Sequence, residues 1–417
     1  MIREVSMSQF TSAQFASASA SGTDWRDTSK AVLEKLQEAR PANGPHNFGF
    51  LYISDYLAED AASILNLFRS VLNIENWVGC TGVGICGNGV EYIDQPAISA
   101  MICHFDESDF CVFPLAGPDM ALPGRNVRSW LEHNDPMLVY IHADPQAKTD
   151  PSHTLQQLDT LTGGYVTGGV SSARTKHVQF AGNAVEGSVT GVVFSQDIPV
   201  ATALSQGCTP IGNAHTITRG AENIIWELDG EKAVTVFEND LRIMAMKKID
   251  RDPDHIVLDS EVLENAEAVP EEFKSLFKGE IHAAFPVSQS DQNDLLVRSI
   301  TGLDPREGSL SVGQSVSTGE SVIFVHRDEE TLEKDLCAML MGLRERVKRQ
   351  TGTFAPKGAL YVSCLARAFS DKGEKKHGEM KLIKDIIGDV PLAGFYASGE
   401  AAKGHLYNYT GILTLFL

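Results

Sequence analysis

The sequence predicts a mixed α/β fold, with mixed sheets layered by helices and built from repeated strand–helix–strand–strand units. Three observations carry this expectation. The stretch Val390-Pro391-Leu392-Ala393-Gly394-Phe395-Tyr396-Ala397-Ser398-Gly399-Glu400, followed by 407–416, reads as a strand, a glycine-broken bend holding one acid, and a closing strand. Weaker copies stand at Trp77-Val78-Gly79-Cys80-Thr81-Gly82-Val83-Gly84, before 97–105, and at Gly164-Tyr165-Val166-Thr167-Gly168-Gly169-Val170-Ser171-Ser172, before 187–194. Each copy has the same prelude, an apolar strand (48–54, 137–143 and 359–364) and then a helical stretch. Recurrence of one supersecondary unit fixes an architecture, although three glycine-containing hairpins can also look alike by chance.

Taken in order, residues 1–9 read as frayed. Residues 15–21 alternate small apolar residues and Ser at strand period. Asp24 can cap a helix whose face is Trp25, Val32, Leu36 and Ala39, and Pro41 and Gly44 end it. Residues 48–54 form a buried strand, and Ile64, Leu65, Phe68 and Leu72 line the next helix. Residues 114–123 read as a loop, and Leu155, Leu158 and Leu161 line the helix of the second unit. A small-residue strand like 15–22 returns at 198–207, which points to two pseudo-related halves meeting near 199. Residues 214–237 read as strands and turns, with a hairpin at Asp229-Gly230, and 250–280 as an acidic linker. Strands follow at 295–300 and 321–326. The next helix buries Leu332, Leu336, Met339, Leu340, Leu343 and Val347, with acids at its start, bases at its end and Gly352 beyond. The last helix carries Met380, Ile383 and Ile387 and stops at Gly388.

Composition excludes several function classes. The chain has 417 residues, 43% apolar and 22% charged, enough for about two to three domains with large cores. Its net charge of −20 argues against a nucleic-acid partner and against docking on anionic membranes. No apolar run is long enough to span a bilayer, and no signal-like stretch follows Met1. Seven scattered cysteines read as reduced thiols in a cytoplasmic protein.

Few motifs carry chemistry. Gly82-Val83-Gly84-Ile85-Cys86-Gly87 matches a dinucleotide fingerprint, but Asn88-Gly89 follows where that fingerprint needs a helix. Cys364, at the end of an apolar strand and three residues before Arg367, is either a core thiol or a reactive one. His377 and His405 are nearby in sequence. Glu400 closes the last glycine bend among aromatic residues and suits an amine or amino-acid ligand, or else is a turn acid facing solvent. The turn 207–212 is small enough to approach a ligand closely or simply to pack tightly. No nucleophile elbow, zinc-type cysteine pair or His-Glu-x-x-His is present. No metal, cofactor or catalytic residue is therefore assigned.

These residues resemble the FIST family. The resemblance runs from about Phe15 to the end, through Phe50-Leu51-Tyr52-Ile53-Ser54, Val78-Gly79-Cys80-Thr81, Ser205-Gln206-Gly207-Cys208-Thr209-Pro210-Ile211-Gly212, Glu227-Leu228-Asp229-Gly230, Tyr361-Val362-Ser363-Cys364-Leu365-Ala366-Arg367 and 391–400. It implies an N-terminal strand and helix (1–47), a FIST N-terminal domain (48–245) and a FIST C-terminal domain (246–417). It also implies a small-ligand-binding sensory protein of signal transduction, with amino acids or similar small polar molecules as ligands and a signalling protein as a further partner. Some eukaryotic members are ubiquitin-ligase receptors carrying an F-box, and no such helical segment precedes Phe15 here. A protein–protein adaptor and a Cys-dependent enzyme are the alternative readings. The site residues are expected to be Cys364, Arg367, Tyr396 and Glu400, joined by Gly79, Cys80, Thr81, Thr167 and Gly168 of the earlier bends. In the first bend Ile85 stands where the last has Glu400.

Overall fold

The computed structural model describes residues 15–39, 46–116, 125–147, 150–187, 189–249, 280–287, 294–369, 375 and 378–417. The frayed start, the helix stop at Pro41 and Gly44, the linker of 250–279, residues 117–123 of the expected loop, and His377 lie outside them. The chain forms two compact units, residues 1–204 with 337–417, and residues 205–336. These units follow contacts in space and cut across the sequence divisions near 47 and 245.

The first unit contains three copies of one pattern: strand, helix, strand, helix, strand, hairpin, strand. The first copy is β1 (Ala16–Ser21), α1 (Trp25–Ala39), β2 (Phe48–Ser54), α2 (Ala61–Leu72), β3 (Asn76–Gly82), the hairpin β4 (Gly84–Gly87) and β5 (Val90–Ile93), and β6 (Ala97–Cys103). The second is β7 (Phe110–Ala116), α3 (Arg125–His133), β8 (Pro136–Ala143), α4 (Pro151–Thr162), β9 (Tyr165–Val170), the hairpin β10 (Gln179–Ala181) and β11 (Asn183–Val185), and β12 (Val189–Ser195). The third opens with β13 (Val200–Ser205). The second unit is then inserted, as β14 (Thr209–Pro210), β15 (His215–Ala221), β16 (Ile224–Leu228), β17 (Glu231–Lys232), α5 (Ala233–Ile249), β18 (Glu280–Pro286), β19 (Leu295–Asp304), β20 (Ser309–Val312) and β21 (Ser321–Arg327). The third copy resumes with α6 (Glu329–Thr351), β22 (Gly358–Cys364), α7 (Glu379–Ile387), β23 (Leu392–Ala397), the hairpin β24 (Gly399–Ala402) and β25 (His405–Tyr407), and β26 (Gly411–Phe416). The small-residue strand near 199 thus opens a third copy rather than a second half.

Pairing repeats with the sequence. In each copy the second strand lies between a parallel third strand and an antiparallel last strand: β2 between β3 and β6, β8 between β9 and β12, β22 between β23 and β26. The opening strand extends the sheet beyond the last one, as β1 on β6, β7 on β12 and β13 on β26. The other side takes a hairpin from a different copy: β10 pairs with β3, β24 with β9, and β4 with β23. The three sheets therefore exchange hairpins in a closed cycle, which pairs strand edges that would otherwise be open.

Alternation along the strands sorts the core. Phe48, Phe50 and Tyr52 face one central core with Leu138 and Tyr140, Leu360 and Val362, and Phe194, Phe395 and Phe416. Leu51 and Ile53 face the other way, onto Val32 and Leu36 of α1 and Ile64, Leu65 and Phe68 of α2. Asp24 caps α1, its carboxylate accepting from the backbone N–H of Arg26 (2.8 Å) and Asp27 (3.1 Å). In α4 the buried face is Thr154, Leu155, Leu158 and Thr162. Leu161, expected there, is 48% exposed, and Thr162 is buried in its stead. Ala39 of α1 is exposed as well, at the end of its helix.

The second unit is one antiparallel sheet. Its ladder runs β21, β15, β16, β20, β19, β18 and returns to β21, so it closes on itself. Asp229 and Gly230 both have positive φ, 53° and 86°, and join β16 to β17 as the sequence expects. Val234–Phe237, read as strand, is instead the start of α5. Val234, Phe237, Leu241 and Met244 are buried at helical spacing against Ile217 and Phe324. Among the described residues no helix is long and apolar enough to cross a membrane.

Candidate functional site

The three copies of the first unit can be aligned through their ladders. Leu51 faces Gly79, Ile141 faces Gly168, and Tyr361 faces Gly394 on the parallel neighbour. A Cβ on any of these glycines would run into the facing carbonyl oxygen. Gly79 and Gly168 are thus mid-strand residues chosen by close backbone approach. Cys80 is in the central core, where burial pushes its thiol well up. Thr81 ties β3 to the chain before β10: its hydroxyl donates to the Lys176 carbonyl (3.0 Å) and accepts from the Val178 N–H (3.0 Å). Thr167 is fully buried, and its Oγ1 has no hydrogen-bond partner among the described residues.

Three residues beyond Leu51, Ile141 and Tyr361 stand Ser54, Asp144 and Cys364, at corresponding corners of the three sheets. One hairpin position also corresponds: Ile85 faces Phe395, Gln179 faces Cys80, and Glu400 faces Gly169. Only in the third copy do a thiol and a carboxyl occupy these two positions. Glu400 is fully buried. Its Oε2 accepts from the backbone N–H (3.0 Å) and the hydroxyl (2.9 Å) of Thr410, and the Cys364 thiol also hydrogen-bonds the carboxyl. Its Oε1 is buried with no partner among the described residues. Burial pushes the Glu400 pKa up to about 8, despite the Thr410 hydrogen bonds and the Arg367 charge.

Arg367 is itself buried, and it stays a cation. Burial disfavours its charge, but Glu379, 2.7 Å from Nε and 2.6 Å from Nη2, holds its pKa above the usual arginine value. Glu379 opens α7 and also accepts from Tyr361 (3.1 Å) and Ser363 (2.8 Å). Tyr396 is buried beside Glu379, alternating with Phe395 of the central core. The structure therefore brings Cys364, Arg367 and Glu400 together and sets Tyr396 on the other face of β23. Thr167 and Gly168 lie on β9, in the sheet that takes the β24 hairpin, where they face Ala402 and Ala401 next to Glu400, whereas Gly79, Cys80 and Thr81 lie on β3 in the first sheet. Sequence reading passed over Thr410, Glu379 and Gln179. Glu379, the acid opening the last helix, was the most visible of them; Gln179 is fully buried with both amide atoms unpartnered among the described residues.

A cleft of about 440 Å³ opens at this corner, lined by Cys364, Ala366, Phe369, Ser398, Asn408 and Tyr409. That is the size range of small-molecule sites. The corner of the first copy is filled by the chain itself. Arg174 donates to Asp55 (2.7 Å) and Asp94 (2.8 Å), and its guanidinium lies 4.8 Å from the Tyr56 ring centre. Arg174 comes from the segment 171–178 that leads into the borrowed hairpin; at the third sheet that segment is Val83 alone. Among the described residues no group of three or more His, Cys, Asp and Glu could hold a metal ion.

Two family models match this chain, the FIST N domain over residues 47–231 and the FIST C domain over residues 260–403. The chain belongs to the FIST family. FIST domains are sensory domains of signal transduction. The FIST N match runs from the start of β2 through the second copy and into the second unit, and the FIST C match runs from residue 260 into the third copy, ending before β25. A Mycobacterium tuberculosis protein, described as uncharacterized, is 27% identical over 406 residues, 94% of this chain and 97% of that one. A Mycobacterium bovis protein, likewise described, is 26% identical over 411 residues, 94% of this chain and 96% of that one. The likeness to these two relatives thus runs along nearly the whole of this chain and of both of them.

Proposed function

We propose that this FIST protein senses a small polar molecule, such as an amino acid, which binds in the Cys364–Tyr409 cleft, and that occupancy is passed to a signalling partner. The observation that carries this reading is Glu400: a fully buried carboxyl, one oxygen of which has no hydrogen-bond partner among the described residues, hydrogen-bonded to the cleft-lining Cys364. An unsatisfied buried polar oxygen costs about 1–3 kcal/mol, which a hydrogen-bonding group on a ligand would recover. Asn408 and Ser398 add polar contacts, and Phe369 and Tyr409 add apolar surface. The test is thermal unfolding against amino acids, amines, small carboxylates and nucleotides. A ligand at a hundred times its dissociation constant adds roughly 2.7 kcal/mol, a readily measured midpoint shift. No shift with any class rejects the reading.

A further inference from the structure

We infer that Cys364 is a nucleophilic thiol that reversibly captures a small carbonyl compound, an aldehyde or a 2-oxo acid, with Glu400 carrying the proton. The inference deepens the reading of the cleft as a ligand site and rests on it. Cys80, Cys86 and Cys103 are sealed in the core, whereas Cys364 borders the cleft. Its thiol hydrogen-bonds Glu400, whose other contacts to Thr410 fix the carboxyl in place. A nucleophile within hydrogen-bond reach of a base that a third group orients is the arrangement covalent catalysis uses.

The chemistry needs no further reactant. In the fraction of the protein whose Glu400 is ionised, a fraction that grows as pH rises toward 8, the S–H proton passes to the Glu400 carboxylate, and the sulfur electron pair forms a C–S bond to the carbonyl carbon. The π pair of the C=O bond moves to oxygen, and Glu400 returns the proton there. The product is a hemithioacetal or hemithioketal, and every step reverses. With Glu400 ionised the pair carries one negative charge throughout, which the nearby Arg367 guanidinium, itself paired with Glu379, favours. A carboxyl titrating near neutral pH suits both halves of the transfer. The proton must return to the atom next to the attacked carbon, which selects a carbonyl; an amine ligand would engage Glu400 and leave the thiol idle.

The experiment is alkylation of the native full-length protein with iodoacetamide, read by peptide mass spectrometry, with and without glyoxylate as the carbonyl probe. Cys364 should be labelled in the folded protein while Cys80, Cys86 and Cys103 stay protected until denaturant is added. Glyoxylate should slow Cys364 labelling, and its removal should restore the rate. Glu400→Gln, kept folded by circular dichroism, should slow labelling at least about tenfold and lose the rate inflection near neutral pH. Cys364→Ser should lose the labelled peptide and keep its circular dichroism spectrum. Labelling of Cys364 only after unfolding, an unchanged rate in Glu400→Gln, or no protection by glyoxylate overturns the inference. If instead amino acids shift the unfolding midpoint while the thiol is inert, the cleft is a non-covalent site and only the capture fails.

Discussion

Glu400 sets the pH behaviour of the third corner. Its folded pKa, about 8, lies above the usual 4.5, so the folded state holds a proton that the unfolded state has lost between those values. Stability should therefore fall as pH rises through that window. His142 acts in the opposite sense, because burial lowers its pKa from 6.5 to about 3, and its contribution is lost on acidification below 6.5. One unit above pH 6.5 the His142 contribution is nearly complete, and urea unfolding from about pH 7.5 to 8.5 should show a decline in wild type that Glu400→Gln lessens; His215, which despite burial Asp229 and Asp240 hold above its usual value, adds a decline common to both proteins. The expected difference is of the order of 1 kcal/mol. Gly394 tests the strand-crossing argument: a Cβ there meets the Tyr361 carbonyl, so Gly394→Ala should cost more than about 3 kcal/mol or prevent folding, as seen by the same denaturation.

Helix caps and hairpin exchange act at the scale of elements. Asp24→Ala removes both capping hydrogen bonds of α1 and should lower stability by about 1 kcal/mol without moving the other elements, measurable by urea midpoint. The repeated strands were legible in the sequence because 48–54, 137–143 and 359–364 are continuous apolar runs, as strands buried on both faces must be. The hairpins were not: β10 and β24 are short, and their partners lie in other copies, far along the chain. The bends around Gly79 and Gly168 carry the same glycine signal as a binding loop, yet here that glycine answers a neighbouring carbonyl. Cys364 and Glu400 were readable as residue types at strand ends. That they meet could not be read, since Glu400 reaches Cys364 only through a hairpin that pairs with another copy's sheet.

At the scale of the whole molecule, the closed exchange of hairpins makes the first unit one cooperative body, because loosening any copy uncovers an edge of another sheet. Of the four tryptophans, Trp25, Trp77 and Trp130 belong to it and Trp226 to the second unit. In Trp226→Phe, fluorescence from Trp25 and Trp77 of the first copy and Trp130 of the second should report a single transition, with stepwise loss ruling the closed cycle out. The sensory reading depends on the third corner staying open while Arg174 fills the first. The measurement that tests it most directly is thermal unfolding of wild type and Ala366→Trp side by side against the ligand panel. Ala366 is exposed and lines the cleft, so an indole there should occupy it while leaving the core intact. The account predicts equal midpoints without ligand, and a ligand-induced shift in wild type that Ala366→Trp abolishes. An equal shift in both proteins would contradict it, because the ligand would then bind somewhere other than this cleft.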